Sequence, residues 1–301
     1  MSTPKDPGFG RGLLFGFGAY LIWGSFPLII TALHFASPWE IVGWRVIFGF
    51  VLAAVILTFG KSWKQVVRIF KEPRLLLWNL FATVLIFINW SVYVIAVASQ
   101  QTLEASLGYF INPLVTIFLA VIFLGEKLSR LQWAASVLGL IAVTVLTIDY
   151  GRLPWMAFLL ALSFGLYGLA KNKIGGQITA VNSYALESGM LVPVAGLILY
   201  LVYLADGLRF GAAGLTGSLG LIAFGFLTAI PLILFGSAAK RLPLRFVGFL
   251  QYLTPVLQFT TAVFILKEPM PTVRLIGFAL VWLGLALLIW DGLRSSRRQK
   301  A

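Results

Sequence analysis

The sequence predicts an all-α integral membrane protein with ten transmembrane helices in two inverted five-helix repeats. Three observations lead to this fold class. Of the 301 residues, 60% are hydrophobic and 11% are charged, whereas soluble domains average about 45–50% apolar and about 25% charged residues. Apolar segments of membrane-spanning length follow one another along the whole chain. Two stretches of the first half recur in the second.

The apolar segments set the number of helices. A transmembrane helix needs about 20 apolar residues to cross a hydrocarbon core about 30 Å thick. The connections between the segments are mostly under a dozen residues, which leaves no room for a soluble domain, so we expect one helical bundle in lipid. The predicted spans are Leu13–Leu33, Pro38–Phe59, Leu75–Ala98, Thr102–Leu124, Leu131–Ile148, Leu153–Ala170, Val181–Leu204, Ser218–Ala238, Leu242–Leu266 and Val273–Trp290.

The distribution of Lys and Arg predicts the orientation. Of the 23 basic residues, 18 lie in the two tails and in the loops after the second, fourth, sixth and eighth spans. The other five loops hold four, counting with each loop the basic residues at the first turn of the next span, and Arg45 alone lies deep inside a span. Because loops rich in Lys and Arg stay in the cytoplasm, both termini are expected there. A missed or invented span would blur this asymmetry, so the count supports ten.

Two internal similarities predict the repeat. The stretch PLVTIFLAVIFLGEK from Pro113 resembles PVLQFTTAVFILKEP from Pro255, and AYLIWG from Ala19 resembles SFGLYG from Ser163. The offsets are 142 and 144 residues, so residues 1–150 and 151–301 each form one five-helix unit. Since five is odd, the two units cross the membrane in opposite senses, the plan of many secondary transporters.

Composition excludes several classes of function. The net charge of +13 is spread between long apolar runs rather than gathered in a basic domain, which favours lipid over nucleic acid as the partner. The chain has no cysteine and one histidine, His34, so disulfides, thiolate chemistry and a histidine metal site are not expected. We predict no cofactor and no metal. The oligomeric state stays open, and a monomer fits the sequence.

Several motifs together resemble the RarD group of the drug/metabolite transporter superfamily, in its EamA-type branch. They are EASLGYFINPL from Glu104, AYLIWG in the first span, EIVGWRVIF from Glu40, and the pair Asn89–Trp90. The resemblance covers essentially the full chain. It implies ten spans in two inverted repeats, cytoplasmic termini, the bacterial inner membrane, and export of a small metabolite or drug such as an amino acid or an amphenicol-like compound. It does not identify the substrate.

Two other classes of function remain as alternatives. A membrane enzyme acting on lipids would need a catalytic cluster at one interface, and the sequence offers only Glu40 and Glu104 there. A lipid scramblase or sensor would use the basic tail RSSRRQK to bind anionic lipid, although this tail also obeys the positive-inside pattern. We therefore expect a transporter rather than an enzyme, with a small-molecule substrate and membrane lipids as partners.

Two ionisable residues inside spans are candidates for function, because a charge at mid-bilayer costs about 2.5–3.5 kcal/mol on insertion scales. Arg45 is expected to bind an anionic group of the substrate, through a guanidinium that can make bidentate contact. The alternative is that Arg45 only pairs with Glu40 or Glu104 to hold helices together. Glu187 has no basic residue at helical spacing on its own helix, so it is the candidate for proton coupling; a purely structural hydrogen-bonded carboxylate is the alternative.

Aromatic and amide residues complete the predicted site. Tyr20 and Trp23, Trp90 and Tyr93, and Tyr109 and Asn112 stand three apart and so share a helix face, as do Gln251 and Gln258 at seven. Trp23 and Trp90 are alternatively residues of the interfacial belt. Pro113 and Pro255 are expected to kink their helices, as a gate or as static curvature. The predicted substrate-binding residues are Tyr20, Trp23, Arg45, Asn89, Trp90, Tyr93, Glu104, Tyr109, Asn112, Tyr167, Gln251 and Gln258.

Overall fold

The computed structural model describes residues 7–124, 128–174, 178–239, 241–242 and 250–298, and within them all regular structure is helical. The helices are α1 (Pro7–Gly24), α2 (Phe26–Ala32), α3 (Pro38–Phe59), α4 (Trp63–Phe70), α5 (Pro73–Ala98), α6 (Thr102–Leu124), α7 (Arg130–Tyr150), α8 (Trp155–Ile174), α9 (Ala180–Asp206), α10 (Gly214–Ala239), α11 (Leu253–Thr260) and α12 (Thr272–Arg298). A π-helical turn, Thr261–Ile265, continues α11.

The described part of the chain contains seven apolar segments long enough to cross a membrane. They lie in α1–α2, α3, α5, α7, α9, α10 and α12, and shorter apolar helices occupy Trp155–Lys171 and Leu253–Ile265. Many apolar side chains on these helices are exposed, for example Leu140 and Phe59. A surface this apolar requires lipid rather than water around it, so the protein crosses the membrane several times.

Helix starts follow local capping chemistry. Ser37 and Thr179 each accept a hydrogen bond from the backbone N–H three residues on, at 3.2 Å in both cases. Ser129 forms a reciprocal capping box with Gln132 at the start of α7. These side chains satisfy N–H groups that have no partner within the helix. The start of α3 at Pro38 therefore coincides with the predicted start of the second span.

Two predicted spans are interrupted. The first breaks at Ser25, between α1 and α2, because Pro27 lacks the N–H that a continuous helix would need there. In the ninth, residues 243–249 lie outside the described residues, and a turn at Gln251 and Tyr252 precedes α11. Pro255 consequently lies in the first turn of α11, where an N–H has no helical acceptor in any case. The predicted mid-helix kink at Pro255 is wrong, whereas Pro113 does lie inside α6.

Helix α4 lies within a connection that the hydropathy pattern predicts as a loop. Val66 and Ile69 are buried by its packing against α5 and α9, while Lys64 and Arg68 are exposed. A hydrogen bond between the side chains of Gln65 and Asn182 ties α4 to the first turn of α9. Helix α4 has eight residues, three of them charged or amide, so it is too short and too polar to be predicted as a span. Its apolar residues nevertheless have helical spacing.

The helices of the two halves pack against one another. Helix α7 packs on α12, and α3 on α9. Helix α8 contacts α5 and α6, while α1 contacts α10 and α11. Close approach needs small residues: a Cβ at Gly108 of α6 would lie 2.8 Å from the carbonyl oxygen of Ala157 and 2.9 Å from the Cβ of Leu160 in α8. The interior between the halves is where the polar residues gather.

Candidate functional site

A cavity of about 490 Å³ lies between the two halves of the bundle. Nine helices contribute to its wall: α1, α2, α3, α5 and α6 from the first half, and α8, α9, α10 and α11 from the second. Of the predicted site residues, Tyr20, Trp23, Arg45, Asn89, Trp90, Tyr93, Tyr109, Asn112, Tyr167, Glu187, Gln251, Pro255 and Gln258 line it. Glu104 and Pro113 do not.

Aromatic rings form most of the wall. The rings of Tyr20 and Trp23 meet edge-on with centroids 5.4 Å apart, and those of Tyr93 and Tyr109 lie 5.7 Å apart. Trp90 is 8% exposed, so the interfacial-belt alternative is wrong for this residue. Sequence reasoning missed several further lining residues: Phe26, Phe164, Tyr184, Phe235 and Tyr252. Helix-face spacing could have found two of them, because Phe164 stands three residues before Tyr167 and Tyr184 three before Glu187.

Arg45 lies in the wall of the cavity, where no carboxylate of the described part of the chain pairs with it. Its Nε donates to Thr228 Oγ1 at 3.0 Å. Its guanidinium lies 4.6 Å from the ring centroid of Trp90 and 5.2 Å from that of Phe224, which are cation–π distances. The Nη1 group is buried and has no hydrogen-bond partner among the described residues. Arg45 is therefore held in position by neutral groups and keeps donors for another ligand.

Neither carboxylate that sequence reasoning offered to Arg45 reaches it. Glu40 accepts hydrogen bonds from the backbone N–H groups of Arg209 and Phe210, at 2.8–3.1 Å. Glu104 accepts from Met156 N at 2.9 Å and pairs with Arg152 at 2.7 Å. The alternative in which Arg45 pairs with either is wrong. Assigning Glu104 to the cavity is wrong as well, because it lies in the first turn of α6, above the level at which Tyr109 reaches the wall.

Glu187 is paired, contrary to the expectation from its own helix. One carboxylate oxygen accepts from Lys171 Nζ and from Ser183 Oγ, and the other from Tyr167 Oη at 3.1 Å. Lys171 comes from α8, so a search along α9 alone could not find it. The Lys171 side chain is 27% exposed and the Glu187 side chain 1%. The pair is thus neutral overall and forms part of the cavity wall.

Amide and hydroxyl groups divide into those that hold helices together and those left free. Asn89 donates to Leu160 O and Ser163 Oγ, both at 3.1 Å, and accepts from Tyr109 Oη at 3.1 Å, which joins α5, α6 and α8. Four buried lining atoms have no partner among the described residues: Tyr93 Oη, Asn112 Oδ1, Tyr184 Oη and Gln258 Oε1. Since buried polar groups are normally hydrogen-bonded, these atoms are suited to contact a ligand.

The two ends of the cavity differ. The lining extends to Ala180 and Gln251, which are exposed, so the cavity reaches the surface at this open end. Towards the starts of α3, α6 and α8 it is blocked by a buried apolar cluster that includes Ile30, Ile41 and Leu221. We call this the closed end.

Three carboxylates tie segments together at the closed end. Besides Glu40 and Glu104, Glu268 accepts from the backbone N–H groups of Thr102 and Leu103 at 2.7 and 2.9 Å. All three are at most 7% exposed. Because Glu268 ends a predicted span beside Lys267, the sequence predicts a structural carboxylate at the water interface. It does bind backbone groups, but it is buried at the start of α6. Its predicted repeat counterpart, Glu126, lies outside the described residues.

Comparison with known proteins finds relatives that match nearly the whole chain. A model of the EamA-like transporter family matches residues 10–148. Protein RarD of Streptomyces exfoliatus is 42% identical over 291 residues, which cover 96% of this chain and 91% of that protein. An uncharacterized transporter of Vibrio cholerae is 37% identical, covering 97% and 96%. A solved crystal structure matches with a TM-score of 0.60 and 20% identity over 95% of this chain and 98% of that one, which shows a shared fold.

Proposed function

This chain belongs to the RarD group of the EamA-like transporter family, and we propose from that premise that it moves a small organic molecule across the membrane by alternating access. It is a multi-pass membrane protein and a transporter of the drug/metabolite superfamily. The single observation that carries the finer proposal is the cavity, which is lined by helices of both halves and reaches the surface at only one end among the described residues. Such a site lies where rocking of one half against the other would expose it alternately.

We propose ten spans in two inverted repeats, residues 1–150 and 151–301. Helices α6 and α8 and the segment of α11 bring the seven long apolar segments to ten. The packing supports a two-fold relation, because α5 and α6 surround α8 as α10 and α11 surround α1. The helix caps Ser37 and Thr179 stand 142 residues apart, the same offset as Pro113 and Pro255. With an odd number of helices in each repeat, the two copies run oppositely through the membrane.

The basic residues support a cytoplasmic position for the open end. Lys171 and Lys173 at the end of α8, Arg68 in α4 and Lys71 just after it belong to the connections rich in Lys and Arg. We propose a bacterial inner-membrane location with cytoplasmic termini. The cavity then faces the cytoplasm in this conformation, which suits loading of a substrate for export.

Opening of the closed end would require the three carboxylate ties to break. Each of Glu40, Glu104 and Glu268 binds backbone N–H groups of a segment that belongs to a different helix or loop. Charge-assisted hydrogen bonds of this kind are roughly twice as strong as neutral ones. We propose that the ties favour the cytoplasm-facing state and release when the substrate is delivered outside.

Glu187 remains our candidate for a coupled proton, now together with Lys171. While the two are paired, the carboxylate needs no proton. A movement that separates α8 from α9 would leave a charge alone in lipid, which is expensive, and proton uptake by Glu187 would remove that charge. Transport would then be linked to proton movement.

The chain has no cysteine, so single cysteines can report access to each end. We would introduce Cys at exposed Ala180 of the open end and at buried Ala36 of the closed end, in separate variants in proteoliposomes. A ligand found by thermal-shift screening of amino acids, aromatic metabolites and amphenicols, and exchanged in counterflow, should change the two maleimide reactivities in opposite directions. Counterflow without such reciprocal changes would contradict alternating access, and no counterflow for any stabilising ligand would contradict transport.

A further inference from the structure

The charges of the central cavity point to one chemical class of substrate. We infer that the cavity binds a small organic acid with a single negative charge and a flat apolar body, and that Arg45 holds the acid group. The inference rests on the proposed function, since it names the substrate of the same cavity. It narrows the candidates that the family resemblance implies, because an amino acid is a zwitterion and an amphenicol is neutral.

The first step is that Arg45 has no counter-ion within the described residues. The buried carboxylates have other partners: Glu40 binds backbone N–H groups, Glu104 binds Arg152, and Asp149 binds Arg274. Glu187 and Glu268 are occupied as described above. Arg45 itself is 4% exposed and keeps Nη1 without a hydrogen bond. An uncompensated charge in a low-dielectric interior is costly, so an anion in the cavity would stabilise this arrangement.

The second step is the net charge of the wall. Apart from tyrosines, the ionisable lining residues are Arg45, Lys171 and Glu187. Lys171 and Glu187 are in direct contact and cancel each other. The wall formed by the described residues therefore carries one net positive charge, which is matched by a ligand with one net negative charge.

The third step concerns the body of the ligand. The guanidinium of Arg45 lies against Trp90, Phe224 and Phe26, so an acid group that reaches it brings the rest of the molecule alongside aromatic rings. Such rings favour offset or edge contact with a flat group. A volume of about 490 Å³ lies within the range of small-molecule sites. The free Tyr93 and Tyr184 hydroxyls can bind a polar substituent.

The wall offers no equivalent site for a cationic group. A substrate ammonium would need a carboxylate with open acceptor positions, and both oxygens of Glu187 already accept from Lys171, Ser183 and Tyr167. A zwitterion would therefore leave its ammonium poorly solvated in the cavity. A neutral ligand would leave Arg45 as it is.

A matched series of ligands tests the inference. Binding to detergent-purified protein is measured by isothermal titration calorimetry for phenylacetate, its neutral isostere phenylacetamide, the cation phenethylamine, the zwitterion phenylalanine, and acetate without a ring. Counterflow in proteoliposomes is measured for the same compounds. We expect phenylacetate to bind and exchange, and the amide to bind about ten- to a hundredfold more weakly, as expected for loss of a hydrogen-bonded charge pair.

Variants at Arg45 test whether this residue causes the preference for the anionic ligand. Arg45→Gln should remove the preference for phenylacetate over phenylacetamide, and Arg45→Lys should keep the preference at lower affinity, which shows that the cavity is still formed. Arg209→Gln is the matched control, because this residue is exposed and only its backbone N–H is bonded to Glu40. It should behave as the wild type.

The outcomes separate this inference from transport itself. Equal or tighter binding of the amide, the amine or phenylalanine, or an anion preference that survives in Arg45→Gln, would overturn the inference, while counterflow of the tighter ligand would still support transport. Failure of phenylacetate to bind at millimolar concentration would also overturn it. Arg45-dependent binding of phenylacetate without counterflow would support the anion site and contradict the transport function.

Discussion

Arg45 and Glu187 stand 142 residues apart, and each lies eight residues after the side chain that caps its helix, Ser37 for α3 and Thr179 for α9. In the proposed repeat they are therefore counterparts, and both line the same cavity. Their surroundings differ. Glu187 is bonded to Lys171, whereas Arg45 lies among aromatic rings and Thr228. If the two halves form the proposed repeat, equivalent positions carry different charges, which is the asymmetry that the proposed anion site needs.

The neutrality of the Lys171–Glu187 pair predicts unequal costs for removing each partner. Lys171→Met leaves a buried carboxylate uncompensated, and we expect it to lower stability by about 3 kcal/mol. Glu187→Gln leaves a lysine that is partly exposed and can turn towards water, so it should cost about 1 kcal/mol. Thermal unfolding of the purified variants in detergent measures the difference.

The control for this prediction is Lys173→Met, which removes an exposed lysine from the same helix and should not change the midpoint. The double variant Lys171→Met with Glu187→Leu should be more stable than Lys171→Met alone, since no charge is left buried. Equal destabilisation by the two single variants would mean that the pair contributes little.

Local signals in the sequence were sufficient for the long helices but not for their partners. The span predicted at Pro38–Phe59 has the same bounds as α3 and is confirmed. Membership of the RarD group could be read from short motifs and is confirmed as well. The partner of Glu187 could not be found, because Lys171 lies 16 residues away on another helix, and hydropathy carries no information about which faces meet.

Short-range effects, which an average of hydropathy does not include, explain where the observed helices differ from the predicted spans. Helix α4 is stabilised by burial of Val66 and Ile69 against two long helices, which no window of 20 residues detects. The turn at Gln251 and Tyr252 interrupts a stretch whose average hydropathy predicts a continuous span. Helix-face spacing correctly grouped the pairs to which it was applied, such as Tyr109 and Asn112, which both line the cavity. Phe164 and Tyr184 share a face with Tyr167 and Glu187 in the same way, and they were missed.

Helices α6 and α8 approach each other so closely at Gly108 that we expect no larger residue to be tolerated at this position. A Cβ at this position would meet the backbone of Ala157 and the Cβ of Leu160 closer than 3 Å, and neither can rotate away. We expect Gly108→Ala to destabilise the protein by about 1–3 kcal/mol through overpacking. Gly168→Ala is the matched control on α8, where a Cβ would meet nothing within 4 Å. The measurement is the unfolding midpoint in detergent; a loss at Gly168 equal to that at Gly108 would contradict the explanation by packing.

The carboxylate ties predict which variants open the closed end. In Glu40→Gln, Glu104→Gln and Glu268→Gln, the neutral amide weakens hydrogen bonds to backbone N–H groups by roughly half. We expect maleimide to label Cys at Ala36 faster in each of these variants than in the parent Ala36→Cys protein. Asp206→Asn removes an exposed carboxylate from the end of α9 and should leave the labelling rate unchanged. Unchanged rates in all three Glu variants would show that the apolar cluster alone closes this end.

Proton coupling through Glu187 predicts how the pH dependence of transport responds to substitution. Glutamine has nearly the shape of glutamate but binds no proton, so Glu187→Gln should still exchange a bound ligand in counterflow while losing the stimulation that a pH gradient produces in the wild type. Net uptake of the exchanged ligand into proteoliposomes, with and without an imposed gradient, measures this. Glu72→Gln is the control, because Glu72 pairs with Arg68 in an exposed position outside the cavity. If Glu187→Gln kept the full response to the gradient, the coupled proton would be carried by another group, and the Lys171–Glu187 pair would serve only to neutralise the wall of the cavity.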